Sequence, residues 1–491
     1  MSNTWNRNIY RQEQEAFVSG HGGTTSREVI YAIMPSICSI LLTKTAIGLL
    51  EQVIHKNIRV IIEFALIVIP CILCCTVLSD YVITVCCAMI IISIINILLL
   101  GINFDVISTY SMRPDNDKRP FITNFRAFTN LITAICILAI DFHIFPRKFA
   151  KTELFGYSLM DAGVGLFIFA NALVAPEAKD FAHKPRIGFF HTISKNIKHS
   201  ARSCIPLLIL GFGRSVAIEV LGYQKHVTEY GIHWNFFITL AFVKLFTSSI
   251  TSTINSKYSL LSGIWILGMH EYVLSTKGLK EWVLSSRPRN DFISANREGV
   301  ISVPGYVGLY LVSVAVGRLI HSTYQNSHAQ DLLLHRHKTF HIKLFGYEFD
   351  THYNQSMILC IKLSIISQQT CAATLFCDAY FGVSRRLANA DSKLNQKQTK
   401  TCKMNVKSKR DSVPDKCEKN TNKNIIEIFE AVNYNGLFFF LLSNLMTGAI
   451  NMLVRTLYLS HLKALLILIA YMAVNILSVL LLYRKQVQIK L

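Results

Sequence analysis

Two aspartates, a glutamate and three basic residues fall within residues 141–165, Asp-Phe-His-Ile-Phe-Pro-Arg-Lys-Phe-Ala-Lys-Thr-Glu-Leu-Phe-Gly-Tyr-Ser-Leu-Met-Asp-Ala-Gly-Val-Gly. The stretch lies between two segments apolar enough to sit in lipid, where each uncompensated charge costs roughly 2.5–3.5 kcal/mol. Asp141 closes the first of these segments and Lys151 follows ten residues on, across Pro146, which prevents a single straight helix. A carboxylate at a helix end and an ammonium on a folded-back loop can therefore converge. In a partly desolvated cleft the carboxylate becomes a better proton acceptor, and the ammonium can steady a developing oxyanion. Acyl transfer to an alcohol uses both functions. An ion pair that merely anchors the helix end at the interface fits the same spacing.

Other catalytic signatures are missing. No His is followed five residues later by Asp, and no Gly-x-Ser-x-Gly elbow, phosphate-binding Gly-rich loop or His-Glu-x-x-His zinc helix occurs. The spacing Cys71-x-x-Cys74 has no second pair to complete a metal site, and eleven of the thirteen cysteines fall in apolar segments, where they pack as small side chains. No metal and no tightly bound cofactor is expected.

The elements that position these residues are membrane helices. The chain is 51% hydrophobic and only 16% charged over 491 residues, too apolar for a soluble protein of this size. Stretches of the length that crosses a ~30 Å hydrocarbon core recur near 29–50, 58–79, 81–102, 126–142, 157–176, 203–221, 234–252, 258–275, 301–320, 356–377, 437–455 and 462–483. Spans this long are too long for barrel strands, so the fold class is all-α, a polytopic transmembrane bundle of about 12–13 helices. Residues 1–28 form a polar tail with no cleavable signal, 29–383 the main bundle, 384–432 a lysine-rich polar linker and 433–491 a C-terminal helix pair.

The net charge of +20 is spread over connecting loops rather than gathered on one soluble domain, which argues against nucleic acid and for positive-inside bias. Lys179, Lys184, Arg186, Lys195, Lys198 and Arg202 put 177–202, read as a loop, in the cytosol. Alternation then puts the N-terminus and 143–156 on the other side. Within the spans lie Lys44, Glu63, Asp161, Arg214, Glu219, Lys244, His270, Glu271, Arg318 and Lys362. Glu219 and Arg318, near helix ends, are expected to snorkel, whereas Arg214, Lys244 and Glu271 are expected to face a polar cavity or one another.

Three more polar islands stand beside spans: 225–235, 296–299 and 443–448. Together with 141–165 they outline a lipid-headgroup site, for which Arg147, Lys148, Asp161, Lys225, His233, Asn235, Asn296, Arg297 and Asn444 are the candidate binding residues. Interfacial histidines, an aromatic-belt Trp234 and an interhelical hydrogen bond from Asn444 are the plainer readings of the same residues.

These segments also carry a family resemblance. The run Ala139-Ile140-Asp141-Phe142, then Phe145-Pro146-Arg147-Lys148-Phe149-Ala150-Lys151-Thr152-Glu153 and Met160-Asp161-Ala162-Gly163-Val164-Gly165 resembles the GPI-inositol acyltransferases, called phosphatidylinositol-glycan class W in animals and GPI-anchored wall transfer protein in fungi. Glu15-Ala16-Phe17-Val18-Ser19, Gly222-Tyr223-Gln224, His233-Trp234-Asn235-Phe236-Phe237, Asn296-Arg297-Glu298-Gly299 and Leu442-Ser443-Asn444-Leu445 are similar too, in order along the chain. The resemblance implies an endoplasmic-reticulum enzyme that moves a fatty acyl chain, usually palmitoyl, from acyl-CoA as co-substrate to the inositol 2-hydroxyl of glucosaminyl-phosphatidylinositol, on the lumenal side. It implies Asp141 and Lys151 as the catalytic pair. On that reading Arg147, Lys148, Lys225 and Arg297 are expected to contact lipid or coenzyme phosphates. A multi-span transporter or a lipid scramblase stays open as the alternative. The family continues after Ser384-Arg385-Arg386-Leu387-Ala388-Asn389 into another apolar span. This chain turns instead into a lysine-rich run, one helix short.

Overall fold

The computed structural model describes residues 2–50, 55–100, 120–179, 189–221, 227–276, 278–285, 287–333, 339–344, 347–352, 359–370, 384, 386–388 and 426–489. Its helices are α1 (Ser2–Val18), α2 (Ser26–Leu50), α3 (Lys56–Cys75, with a π-helical stretch at Phe64–Val68), α4 (Val82–Leu99), α5 (Pro120–Ala139), α6 (Leu159–Leu173), α7 (Phe189–Leu221), α8 (Phe236–Thr253), α9 (Ser259–Thr276), α10 (Arg297–Leu333), α11 (Gly436–Leu453) and α12 (His461–Arg484). Shorter turns of helix connect them. The fold is an all-α polytopic bundle, and the one sheet among the described residues is an antiparallel hairpin of β1 (Thr339–Leu344) and β2 (Tyr347–His352).

Eight of the helices are long and apolar enough to cross a membrane: α2, α3, α4, α5, α8, α11, α12 and the first 27 residues of α10. The other four expected spans are helical as well. Residues 157–176 contain the fifteen-residue α6, 203–221 is the second half of α7, 258–275 is α9, and 356–377 begins as a helix over 359–370 before leaving the described residues. The 177–202 stretch is not wholly a loop, because α7 starts at Phe189 and meets no helix breaker before Pro206. Lys195, Lys198 and Arg202 therefore lie on helical turns of α7 ahead of its apolar part.

Burial sorts centre from rim. In their most apolar stretches α5 and α10 are 61% and 78% buried, whereas α4 and α11 are 22% and 17% buried and leave the rest to lipid. Close approach of α9 and α10 depends on paired glycines: a Cβ on Gly263 would meet the Gly308 carbonyl oxygen at 2.9 Å, and one on Gly308 would meet that of Gly263 at 3.1 Å. Small residues at such a crossing let two backbones pack where lipid offers no hydrophobic drive.

Polar ties separate the two ends of the bundle. At one end Thr24 N–H donates to the Tyr157 carbonyl at 2.7 Å, Lys148 bonds Asp80 at 2.8 Å, and Ile232 N–H donates to the Ala295 carbonyl at 3.0 Å. At the far end Arg318 donates to the Glu177 carbonyl at 3.1 Å and to Ser256 Oγ at 3.0 Å. The expected snorkelling of Arg318 is thus a specific clamp on two neighbouring loops.

Candidate active site

Asp141 sits just past the end of α5, in a turn that Arg147 holds shut. The guanidinium donates to the carbonyls of Ile140 at 3.0 Å, Phe142 at 2.9 Å and Phe145 at 3.1 and 2.9 Å, and lies 4.1 Å from the centre of the Phe17 ring. It therefore satisfies carbonyls that a helix end leaves open. Pro146, extended, then starts a short 3-10 turn at Arg147–Phe149. Asp141 itself is only 8% exposed, and its Oδ2 accepts a 2.8 Å hydrogen bond from Asn451 Nδ2 on α11. Burial pushes the Asp141 carboxyl up to about 6, although the Asn451 bond and the charges of Arg147 and Lys151 pull it down. Burial likewise holds Arg147 down, at about 10.

Lys151 is held by a different acid. Its Nζ lies 2.7 Å from Glu229 Oε1, a residue 78 positions away in the short helix Val227–Tyr230. No ion pair within 4.0 Å joins Asp141 to Lys151 among the described residues; the ammonium acts on Asp141 through its field. The intervening loop is fastened on both sides. Thr152 donates from its backbone N–H at 3.1 Å and its hydroxyl at 2.8 Å to Asp161 Oδ2, while Ser158 caps α6 by accepting from Asp161 N–H at 3.1 Å. Glu153 N–H donates to the His21 carbonyl at 3.1 Å, and Arg386 bonds Glu153 Oε2 at 2.7 Å.

Of the remaining expected site residues, Lys148, Asp161, His233, Asn235, Asn296 and Arg297 lie at the same end, mostly as scaffold. Lys148 pairs with Asp80 at 2.8 Å and Glu28 at 3.4 Å, and these partners raise its affinity for the proton. Asn296, fully buried, accepts at Oδ1 from the backbone N–H groups of His233 at 2.8 Å and Trp234 at 3.0 Å. Asn235 caps α8 by accepting from Phe237 and Ile238 N–H, and donates to the Gly211 carbonyl at 2.8 Å. His233 is exposed. Arg297 is 1% exposed and donates to the carbonyls of Ser285 and Arg287, so its head group faces the protein. Asn444 donates to the Phe440 carbonyl of its own helix at 2.7 Å, and it is Asn451, seven residues on and on the same face, that reaches the site. Lys225 lies outside the described residues.

The arrangement offers a buried carboxylate with a raised pKa and a separately tethered ammonium on one loop, beside further polar ties at the same end. Among the described residues no cluster of His, Cys, Asp and Glu could hold a metal ion. Sequence reading missed Asn451, Glu229, Thr152 and Arg386 as partners. Glu229 stood within the polar island 225–235, and the Asn444-to-Asn451 spacing of two helical turns was the available signal for Asn451.

Comparison with known proteins places the whole chain. The GWT1 family model matches residues 10–482. The chain is 35% identical over 380 residues to GPI-anchored wall transfer protein 1 of Yarrowia lipolytica, covering 76% of this chain and 74% of that one. It is 31% identical over 520 residues to the glucosaminyl-phosphatidylinositol-acyltransferase PIGW of Homo sapiens, covering 96% and 98%, and is similarly related to that of Bos taurus, at 31% with 98% and 99% covered. With a family model matched over nearly its whole length and relatives above 30% identity along both chains, this protein belongs to the GWT1 family.

Proposed function

We propose that the chain is an acyltransferase of GPI-anchor biosynthesis, moving a fatty acyl group, palmitoyl in the first instance, from acyl-CoA to the inositol 2-hydroxyl of glucosaminyl-phosphatidylinositol at the lumenal face of the endoplasmic reticulum. Asp141 carries this reading, because a buried carboxylate with a pKa of about 6 is ionised at neutral pH yet basic enough to take a hydroxyl proton. The inositol oxygen then attacks the thioester carbonyl carbon, and the tetrahedral oxyanion collapses to the ester as the carbon–sulfur bond breaks. The coenzyme thiolate leaves, and the proton held by Asp141 returns to it or to solvent.

Lys151 steadies the oxyanion. Its separation from Asp141 supports two roles rather than one, since an ammonium in direct contact would hold the carboxyl low and weaken it as a base. The names of the mammalian relatives, glucosaminyl-phosphatidylinositol acyltransferases, support the substrate. The test is acyl transfer by purified full-length Asp141→Asn and Lys151→Ala proteins with palmitoyl-CoA and glucosaminyl-phosphatidylinositol. Each is expected to lose on the order of 100-fold or more in rate. Near-normal transfer by either folded variant overturns its assigned role. A transporter or scramblase would consume no acyl-CoA, so the wild-type assay separates those alternatives.

A further inference from the structure

The C-terminal helix α11 touches the site through one side chain. Asn451 lies near the end of α11 that faces the α5 turn, and its Nδ2 is 2.8 Å from Asp141 Oδ2 across 310 residues of sequence. The bond uses one oxygen of the carboxylate. Oδ1 accepts no hydrogen bond from the described residues, so it is the oxygen left for a substrate proton.

We propose that Asn451 is a positioning residue of this active site, clamping Oδ2 of Asp141 so that Oδ1 is presented to the acceptor hydroxyl. The proposal rests on the reading of Asp141 as the base. A neutral amide suits this role, because it orients the carboxylate without supplying a charge that would hold the acid ionised and weak. Around the pair, the charges whose fields reach Asp141 are Arg147, which is fastened to backbone carbonyls, and Lys151, which is fastened to Glu229. His143 meets Phe17 edge to face with ring centres 4.5 Å apart, and Arg455 lies 6.0 Å from the Tyr10 ring centre. Packing against Asp141 from α11 itself is thus uncharged, and the clamp is the one polar contact that the C-terminal pair makes with the carboxylate among the described residues.

An asparagine that only joined two helices would affect folding and leave the titration of the base alone. The experiment is therefore the pH dependence of kcat/KM for full-length Asn451→Leu and Asn451→Asp proteins, with thermal stability measured in parallel. In the wild type the low-pH limb reports Asp141 ionisation. Loss of the amide donor in Asn451→Leu removes a contact that favours the ionised form, so the limb moves to higher pH, by about one unit for one hydrogen bond to a charged group. Asn451→Asp sets a second carboxyl against the first, so one proton is shared and the limb moves further in the same direction. An unmoved limb in an active variant overturns the proposal. If Asn451→Leu fails to fold, the nearly isosteric Asn451→Asp supplies the same readout. Should Asp141→Asn keep its activity, the reading of the base falls and this proposal with it. Should Asp141→Asn be inactive while the limb of both Asn451 variants stays in place, the base stands and only the clamp is lost.

Discussion

At the scale of the residue, Asp141 is where function and stability oppose each other. Its carboxyl titrates at about 6 in the folded chain against 3.8 for an unperturbed aspartate. Between these values the folded state binds more protons than the unfolded one, so its contribution to stability is full below about pH 4 and is lost as pH rises through 6. A rise of about two units corresponds to about 3 kcal/mol at neutral pH. Asp141→Asn is therefore expected to raise the thermal-unfolding midpoint at pH 7 while abolishing acyl transfer, and the gain should vanish toward pH 4. A midpoint that drops at pH 7 would contradict the burial cost. The candidate pair itself was legible from the chain, because an acid and a base on either side of Pro146, set between apolar stretches, are costly to keep there without a use. Their partners were not: Glu229 and Asn451 are 78 and 310 positions from the residues they hold, and although Glu229 lies in a polar island and Asn451 two helical turns from Asn444, nothing along the chain pairs either with its partner.

At the scale of the element, the loop that carries Glu229 hangs on a knot between 231–235 and 295–299. Gly231 adopts a φ of 112°, and a Cβ there would lie 2.5 Å from Asn296 Cα and 2.6 Å from the Ala295 oxygen, so only glycine fits. Asn296 satisfies two backbone donors at once. Asn296→Ala leaves both N–H groups without their acceptor in a part-buried setting, at a cost of about 2 kcal/mol. Gly231→Ala adds a clash to an unfavourable backbone conformation. Both variants are expected to lower the thermal midpoint in detergent and to weaken acyl transfer by loosening the hold on Lys151, whereas an unchanged midpoint for Asn296→Ala would show the knot to be dispensable. Hydropathy located helix in all twelve expected segments, since lipid-length apolar runs are a whole-segment property. It misjudged their ends, because α7 and α10 extend as helix well past their apolar parts. It also could not say which polar residues inside helices are satisfied by protein. His270 finds the Leu387 carbonyl at 2.8 Å, and Asp161 finds Thr152, whereas Arg214, expected to face a polar cavity, is exposed.

At the scale of the molecule, the ties at its two ends make topology testable. The N-terminal tail, 143–157, 227–235 and 295–299 meet at the site end, and Glu177, Ser256 and Arg318 meet at the far end. Lys362 bonds Thr323 at 3.1 Å, so the helix over 359–370 starts at the far end; the sequon Asn354-Gln355-Ser356, read from the sequence as cytosolic, lies outside the described residues. With the far end cytosolic, Asn354 is expected to carry no glycan and an acceptor site added to the N-terminal tail to carry one. A glycan on Asn354 would invert this map. The same logic bears on the lysine-rich run that follows Asn389. Leu387 and Arg386 are bonded at the site end, through His270 and Glu153, while Glu427 and Ile428 are bonded at the far end, through Arg484 and Glu63. Between them, 389–425 carries ten basic residues and no apolar stretch near twenty, and each cation placed at the centre of the lipid would cost roughly 2.5–3.5 kcal/mol. Docking of α11 with Asn451 against Asp141 nevertheless requires Ile426 to lie on the far face. An acceptor site placed beside Ile426 is therefore expected to stay unglycosylated in the active enzyme. Glycosylation there would mean that α11 enters the bundle inverted, carrying Asn451 away from Asp141.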